Sequence, residues 1–256
     1  MPLNRQRFMN TYIDNVTKAE AIAHIENCIR NRTVGQVITP NVDQIVRMEK
    51  DDYFRKICDS CELLLVDGHP LLWTAKLYGR PFKEKICGSD LMPELCRIAA
   101  EKGYAVFLLG AAPGVAQKAA DRLAEQNPGL KIAGVYSPPL GFEKDPAEIG
   151  KMNEMLRTSG ADLLFVGMGV PKQDIFIYEN KAIYRIPMSF SIGGTIDFIA
   201  GEQKRAPAWM RKIGFEWFYR LLSDPKRMFR RYVINDSRFF SLVFKYRPGK
   251  NRERRA

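Results

Sequence analysis

The sequence predicts an α/β protein: a mostly parallel sheet with helices on both faces, followed by a basic helical C-terminal appendage. Three observations predict it. Short apolar runs alternate with helix-like segments through residues 1–202, the pattern of strands joined by crossover helices. Most of these runs are apolar at successive positions, as strands buried on both faces require. And most of them stop at a glycine, where a strand hands over to a turn.

The elements follow in order. Residues 34–39 (VGQVIT) read as the first strand, and a helix runs on through Ile45 and Met48. Residues 63–66 form a second apolar run that ends in Asp67-Gly68. Residues 104–109 (YAVFLL) end at Gly110, and residues 114–126 carry a helical pattern. Residues 131–136 make a short strand stopped by Pro138-Pro139, with a helix over 147–159. Residues 163–166 run into Gly167-Met168-Gly169, and residues 188–192 into Gly193-Gly194. No internal repeat interrupts this order.

The bulk numbers set limits. A chain of 256 residues with 46% hydrophobic content can bury one large core with or without an appendage. No stretch of about 18 apolar residues suggests a membrane span. The opening MPLNRQRFMN has no apolar core of a secretion signal, so a cytoplasmic setting is expected. Cys28, Cys58, Cys61, Cys87 and Cys96 make an odd count, which disfavours a disulfide framework. Cys58 and Cys61 form a lone C-x-x-C with only two histidines in the chain, His24 and His69. A zinc site wants about four ligands, so these cysteines read as small buried hydrophobes.

Charge divides the chain. Residues 203–256 hold 16 Lys and Arg against 4 Asp and Glu, about +12, whereas residues 1–202 sum to −1. This shift places a boundary at 202/203, between a near-neutral body and a basic tail.

Four glycine turns at strand ends would lie on one edge of a parallel sheet, where ligands bind in open α/β folds. Glycine lets backbone N–H groups approach a phosphate, although any single one of these glycines could serve only a tight turn. The dinucleotide pattern G-x-G-x-x-G is not met: residues 110–114 read G-A-A-P-G, and Lys172 stands where the third glycine of the 167–172 turn belongs. No G-x-x-x-x-G-K-[ST] occurs either. The polar residues expected at the same edge are Thr39, Asn41, Asp67, Ser89, Asp90, Lys172, Gln173, Thr195 and Asp197. Asp67, at the end of a buried strand, is a candidate general base, with helix capping as its structural alternative. His69 reads either as a proton shuttle or as a surface or capping residue.

Taken together, TPN (39–41), VDG (66–68), GSDLMP (88–93), FLLGAAPGVA (107–116), VGMGVPKQD (166–174), GGTIDFIAGE (193–202) and WFYRLLSDPKRMFRRY (217–232) resemble the WecG/TagA/CpsF glycosyltransferases. The resemblance implies a Rossmann-like core with a membrane-docking C-terminal appendage. It implies inverting transfer of a sugar from a UDP-sugar to a polyprenyl-diphosphate-linked sugar, on the inner face of the cell membrane. The leading donor is UDP-N-acetylmannosamine and the leading acceptor undecaprenyl-diphosphate-N-acetylglucosamine. A UDP-hexose or hexuronate donor of exopolysaccharide synthesis is the alternative, and a non-catalytic RNA-binding protein the rival from another class. By similarity Asp67 is the base, Thr39 shares its pocket, and Gln173 lines the nucleotide-sugar site. Asn41, Gly110, Gly167, Gly169, Lys172, Gly193, Gly194 and Thr195 are the expected substrate-binding positions. PKQD stands where many relatives have PKQE, and His69 follows the VDG.

The tail mixes arginines with Trp209, Phe215, Trp217, Phe218, Phe229, Phe240 and other aromatics, a combination suited to an anionic membrane interface. Arg220, Arg227 and Arg230 stand at i, i+7 and i+10, near one helical face. They match the appendage arginines of the family by spacing. Such a cluster can clamp a leaving diphosphate, so no metal and no cofactor is expected in the reaction. No nucleic-acid partner is expected, and a homo-oligomer remains open. Removal of the tail from Gln203 onward is expected to leave a folded body.

Overall fold

The computed structural model describes residues 3–229 and 236–248. Its centre is a six-stranded parallel sheet in the order β4-β3-β8-β7-β5-β6. The strands are β3 (Gly35–Ile38), β4 (Leu63–Leu64), β5 (Ala105–Gly110), β6 (Lys131–Tyr136), β7 (Leu163–Gly167) and β8 (Met188–Ser191). The α/β expectation holds, and each strand falls within a residue or two of its predicted run. β4 is the exception, reduced to two residues.

Register explains why these runs are apolar at every position. Val37 pairs with Phe190, Phe190 with Phe165, and Phe165 with Leu108, giving one row across the sheet. That row faces α1 (Lys18–Arg30), α5 (Gly88–Lys102), α6 (Val115–Gln126) and α9 (Thr195–Ala200), whose apolar sides complete one core. The alternate residues face the other way. Ile38, Leu64 and Val66 meet α2 (Val42–Met48), α3 (Asp52–Asp59) and α4 (His69–Leu77). Leu109, Leu164 and Val166 meet α7 (Pro146–Thr158) and α8 (Lys172–Tyr184). The Phe165 and Phe190 rings sit 4.9 Å apart at the centre. Each such ring removes on the order of 2–3 kcal/mol of apolar surface from water.

Helix starts are written locally. Thr17 and Glu20 cap the start of α1 reciprocally, and Asn41 and Gln44 do the same for α2. The second of these boxes fixes the direction in which the chain leaves β3.

One element lies outside the sequence expectations. β1 (Arg5–Phe8) and β2 (Thr11–Asp14) form an antiparallel hairpin beside β4. The buried Asp14 pairs with Arg5 at 2.9 Å and accepts the Leu64 N–H at 2.8 Å. The hairpin thereby covers the edge of the sheet, which would otherwise present open backbone groups.

The tail contains α10 (Ala208–Lys212), α11 (Glu216–Ser223), α12 (Pro225–Phe229) and α13 (Arg238–Lys245). Pro225 begins α12, where it needs no N–H partner. The charge boundary at 202/203 is not a packing boundary. Phe239 and Leu242 of α13 are buried in the core that holds Ile38, Ile45 and Phe54. Tyr78 donates its hydroxyl to the Val243 carbonyl at 2.7 Å, and Tyr246 bonds Glu49 at 2.9 Å. Cutting the chain at 203 would strip these two core side chains from the body.

Candidate active site

A parallel sheet offers its ligand site where neighbouring strands send their chains in opposite directions. Here β3 leads outward to β4, and β5 leads outward to β6, while β7 and β8 lie between them. An open cleft of about 910 Å³ sits over the carboxyl ends of β3, β7 and β8 and reaches Asp67 beyond β4.

Thr39 and Asn41 follow β3, and both line this cleft. The Oδ1 of Asn41 is engaged by the Asp43 and Gln44 N–H groups at 3.1 and 3.4 Å. Asp67 lines the cleft from the loop after β4, half-buried, with its N–H held by the Pro40 carbonyl at 3.0 Å. The N-cap of α4 is Gly68, at φ +108°, so Asp67 stands one residue before the capping position that was its structural alternative.

The β7 and β8 turns form the floor. Gly167, Gly169, Gln173, Gly193, Gly194 and Thr195 all line the cleft. Gln173 is buried and accepts the Gly193 N–H through Oε1 at 3.1 Å. One side chain thus ties both glycine turns together, which leaves its amide NH2 for a ligand. A side chain at Gly167 would meet the Gly193 carbonyl at 2.8 Å, so glycine there sets how closely the turns approach. The Thr195 hydroxyl donates to the Ile192 carbonyl at 2.6 Å and serves its own turn.

Several expected site residues lie elsewhere. Gly110 does not line the cleft. It packs on the next strand, where a Cβ would come within 2.4 Å of the Gly167 carbonyl. Lys172 is turned to Glu143 at 2.6 Å. His69 heads α4 with its ring 5.9 Å from that of Trp73, and Gly214 of the tail packs on it. Its position is a body–tail contact. Asp90 is a latch: Arg205 and Arg211 of the tail hold it at 2.7 and 3.3 Å. Burial alone would raise its pKa, but the Cys87 thiol and Arg205 outweigh that and hold it below the usual carboxylate range. Cys58 and Cys61 are buried with thiol pKa values pushed well up by burial, in keeping with a packing role.

The tail also closes the cleft. Lys204 and Glu202 stand at its rim, and Tyr219, Asp224 and Met228 line it from α11, the break after it, and α12. Arg220 and Arg227 belong to those same two helices. Arg230 lies outside the described residues. The charged residues among the described lining are Asp43, Asp67, Asp197, Glu202, Asp224 and Lys204, and Glu202 is paired with Lys118 at 2.6 Å.

The sequence reading missed Asp174, which is fully buried beneath the cleft on α8. Neither of its carboxylate oxygens nor the Ser191 hydroxyl is in hydrogen-bonding geometry. Burial pushes its pKa up to about 7, against the opposing pull of nearby Ser191 and Arg47. The folded state therefore binds this proton more tightly than the unfolded chain, whose Asp titrates near 4. Stability from this group is complete below about pH 4 and is lost as pH rises through about 7. Asp174→Asn, which mimics the protonated acid, should stabilise the protein more at pH 8.5 than at pH 5.5. The expected difference in urea unfolding free energy is on the order of 1–2 kcal/mol. An equal effect at both pH values would mean that Asp174 does not titrate in that window.

Comparison with known proteins agrees with this architecture. The model of the "Glycosyl transferase WecG/TagA/CpsF family" matches residues 6–253. Two curated relatives are each named "N-acetylglucosaminyldiphosphoundecaprenol N-acetyl-beta-D-mannosaminyltransferase". The one from Bacillus spizizenii is 28% identical over 246 residues, which is 96% of this chain and 91% of the relative. The one from Bacillus subtilis (strain 168) is 32% identical over 215 residues, which is 83% of this chain and 81% of the relative. With a parallel α/β core, a cleft over the carboxyl ends of its strands and a family match across nearly the whole length, the chain belongs to the WecG/TagA/CpsF family of glycosyltransferases.

Proposed function

We propose that the protein transfers N-acetylmannosamine from a UDP-sugar to a polyprenyl-diphosphate-linked N-acetylglucosamine, with inversion at the anomeric carbon, at an anionic membrane surface. The observation that carries this reading is the meeting of Asp67, Thr39 and the Gln173-tied glycine turns in one cleft. The relatives' names supply the sugar and the acceptor class.

In this mechanism the glycine turns and the Gln173 amide hold the uridine diphosphate portion. Asp67 takes the proton from the acceptor hydroxyl as that oxygen attacks C1 of the donor sugar, and UDP leaves from the opposite face. The diphosphate gains negative charge as UDP leaves. Arg220, Arg227 and Arg230 supply the balancing cations once the tail is in place. Turnover should accordingly persist in EDTA. Loss of turnover with chelator, restored by Mg²⁺ or Mn²⁺, would contradict the arginine clamp.

The membrane part rests on the tail. No helix among the described residues is long and apolar enough to cross a membrane. Trp209, Leu222, Phe229, Phe240 and Phe244 are nevertheless exposed on the tail. α13 shows the arrangement most clearly, burying Phe239 and Leu242 while turning Phe240 and Phe244 outward. Exposed aromatics on a segment of about +12 charge suit a peripheral position on anionic lipid.

Calorimetric titration with UDP tests the donor site. Wild type should bind UDP saturably. Gln173→Glu keeps the oxygen that accepts the Gly193 N–H but replaces the amide NH2 with a negative oxygen. It should weaken UDP binding about tenfold or more, the size of one charge-assisted bond lost and one repulsion gained. Equal UDP affinity in the two proteins would remove Gln173 from the donor site.

A further inference from the structure

At the opposite edge of the sheet, His24, Cys28 and Glu62 come together. His24 Nε2 lies 2.6 Å from Glu62 Oε1, Cys28 Sγ lies 3.5 Å from His24 Nε2, and Cys28 Sγ lies 3.8 Å from Glu62 Oε1. Glu62 precedes β4, whereas the cleft lies beyond the carboxyl ends of the strands, so this cluster is remote from the transfer chemistry.

Local structure aims the three groups at one point. His24 and Cys28 are i and i+4 on α1, hence on one helical face. The Glu62 backbone is fixed by its N–H to the Gln36 carbonyl at 2.9 Å. Gly35 makes room for its side chain, since a Cβ at Gly35 would stand 2.8 Å from Glu62 Cβ. Cys28 is buried, while His24 and Glu62 keep part of their side chains in reach of solvent. Among the described residues this is the one group of three potential metal-ligand side chains so closely gathered.

We propose that His24, Cys28 and Glu62 form a binding site for a zinc ion, with a solvent molecule as fourth ligand. The donor set of thiolate, imidazole and carboxylate is one that zinc accepts. The spacing fits as well. Bonds of about 2.3 Å to sulfur and 2.0–2.2 Å to nitrogen and oxygen, at tetrahedral angles, place ligand atoms roughly 3.4–3.6 Å apart. The two contacts of Cys28 Sγ already lie within about 0.3 Å of that spacing. Only the His24–Glu62 pair must open, by about 0.8 Å, and it exchanges a hydrogen bond for two metal bonds. Binding releases the Cys28 thiol proton to solvent, and the proton that His24 Nε2 shares with Glu62 leaves that nitrogen for Nδ1 or solvent, so the imidazole ligates in its neutral form. The ion would pin α1 to the start of β4 and so brace the sheet from the side away from the cleft.

Cobalt(II) titration of the full-length, metal-stripped protein tests this, because a thiolate ligand gives Co²⁺ an intense near-ultraviolet charge-transfer band. Wild type should bind one Co²⁺ per chain with that band, and Zn²⁺ should bleach it by displacement. Cys28→Ser should abolish the band. His24→Ala and Glu62→Gln should each weaken binding by at least about tenfold, and they keep the test informative if the cysteine variant folds poorly. Zn²⁺ should raise the thermal midpoint of wild type and not that of the His24→Ala variant. Absence of a saturable thiolate band in wild type would overturn the proposal. So would a band that survives Cys28→Ser, or Co²⁺ affinity unchanged by both His24→Ala and Glu62→Gln.

Discussion

Asp67→Asn should lower turnover by about 10²–10⁴-fold while leaving UDP affinity within a few-fold of wild type. The size is that of a lost general base. The substitution is nearly isosteric, and the start of α4 does not use the carboxylate as its cap. Gly68 is the N-cap of α4, and the Asp67 N–H to the Pro40 carbonyl is a backbone bond that any residue retains. On the proposed mechanism UDP is held from the β7 and β8 turns, across the cleft from Asp67, so binding and chemistry should separate cleanly. Turnover of the Asn variant at the wild-type rate would reduce Asp67 to a shaping element of its loop.

Arg220→Ala/Arg227→Ala should lower turnover by about 10²–10³-fold even on a short-chain, water-soluble acceptor with no vesicles present. That is the scale on which removing preorganised charge stabilisation acts. Trp209→Ser/Phe240→Ser should behave in the opposite manner. It should weaken sedimentation with anionic vesicles about tenfold or more, through lost apolar insertion, and leave turnover on the soluble acceptor unchanged. Both aromatics are more than 60% exposed, so neither change opens a core. The arginine pair is 2 of 16 basic residues in residues 203–256, and the remainder should keep most vesicle binding. Full turnover by the arginine variant on the soluble acceptor would show that these two residues take no part in balancing the leaving group.

The sheet was legible in the sequence because strands buried on both faces, such as residues 163–166, must be apolar throughout and end abruptly. β1 and β2 were not, because the hairpin at the edge leaves Arg5, Arg7 and Tyr12 exposed and buries the charged Asp14, so neither strand reads as an apolar run. The strand-end position of Asp67, Thr39, Asn41 and Gln173 could be read from the turns they follow. The directions of Lys172 and Gly110 could not, because adjacency to a turn does not tell which way a group points. Nor could the pairing of Asp90 with Arg205 and Arg211, which spans more than 110 positions. The same holds for α13. Its charges suggested a membrane-docking appendage, while the burial of Phe239 and Leu242 depends on a partner surface nearly 200 residues earlier in the chain.

The most direct test of the central claim is a turnover assay with a panel of UDP-sugars and an undecaprenyl-diphosphate-N-acetylglucosamine acceptor, reading UDP release and product linkage together. The account predicts one UDP released per sugar transferred, fastest with UDP-N-acetylmannosamine, and a β-linked product. No transfer from any UDP-sugar, together with no saturable UDP binding and an RNA affinity that falls steeply with salt, would contradict it.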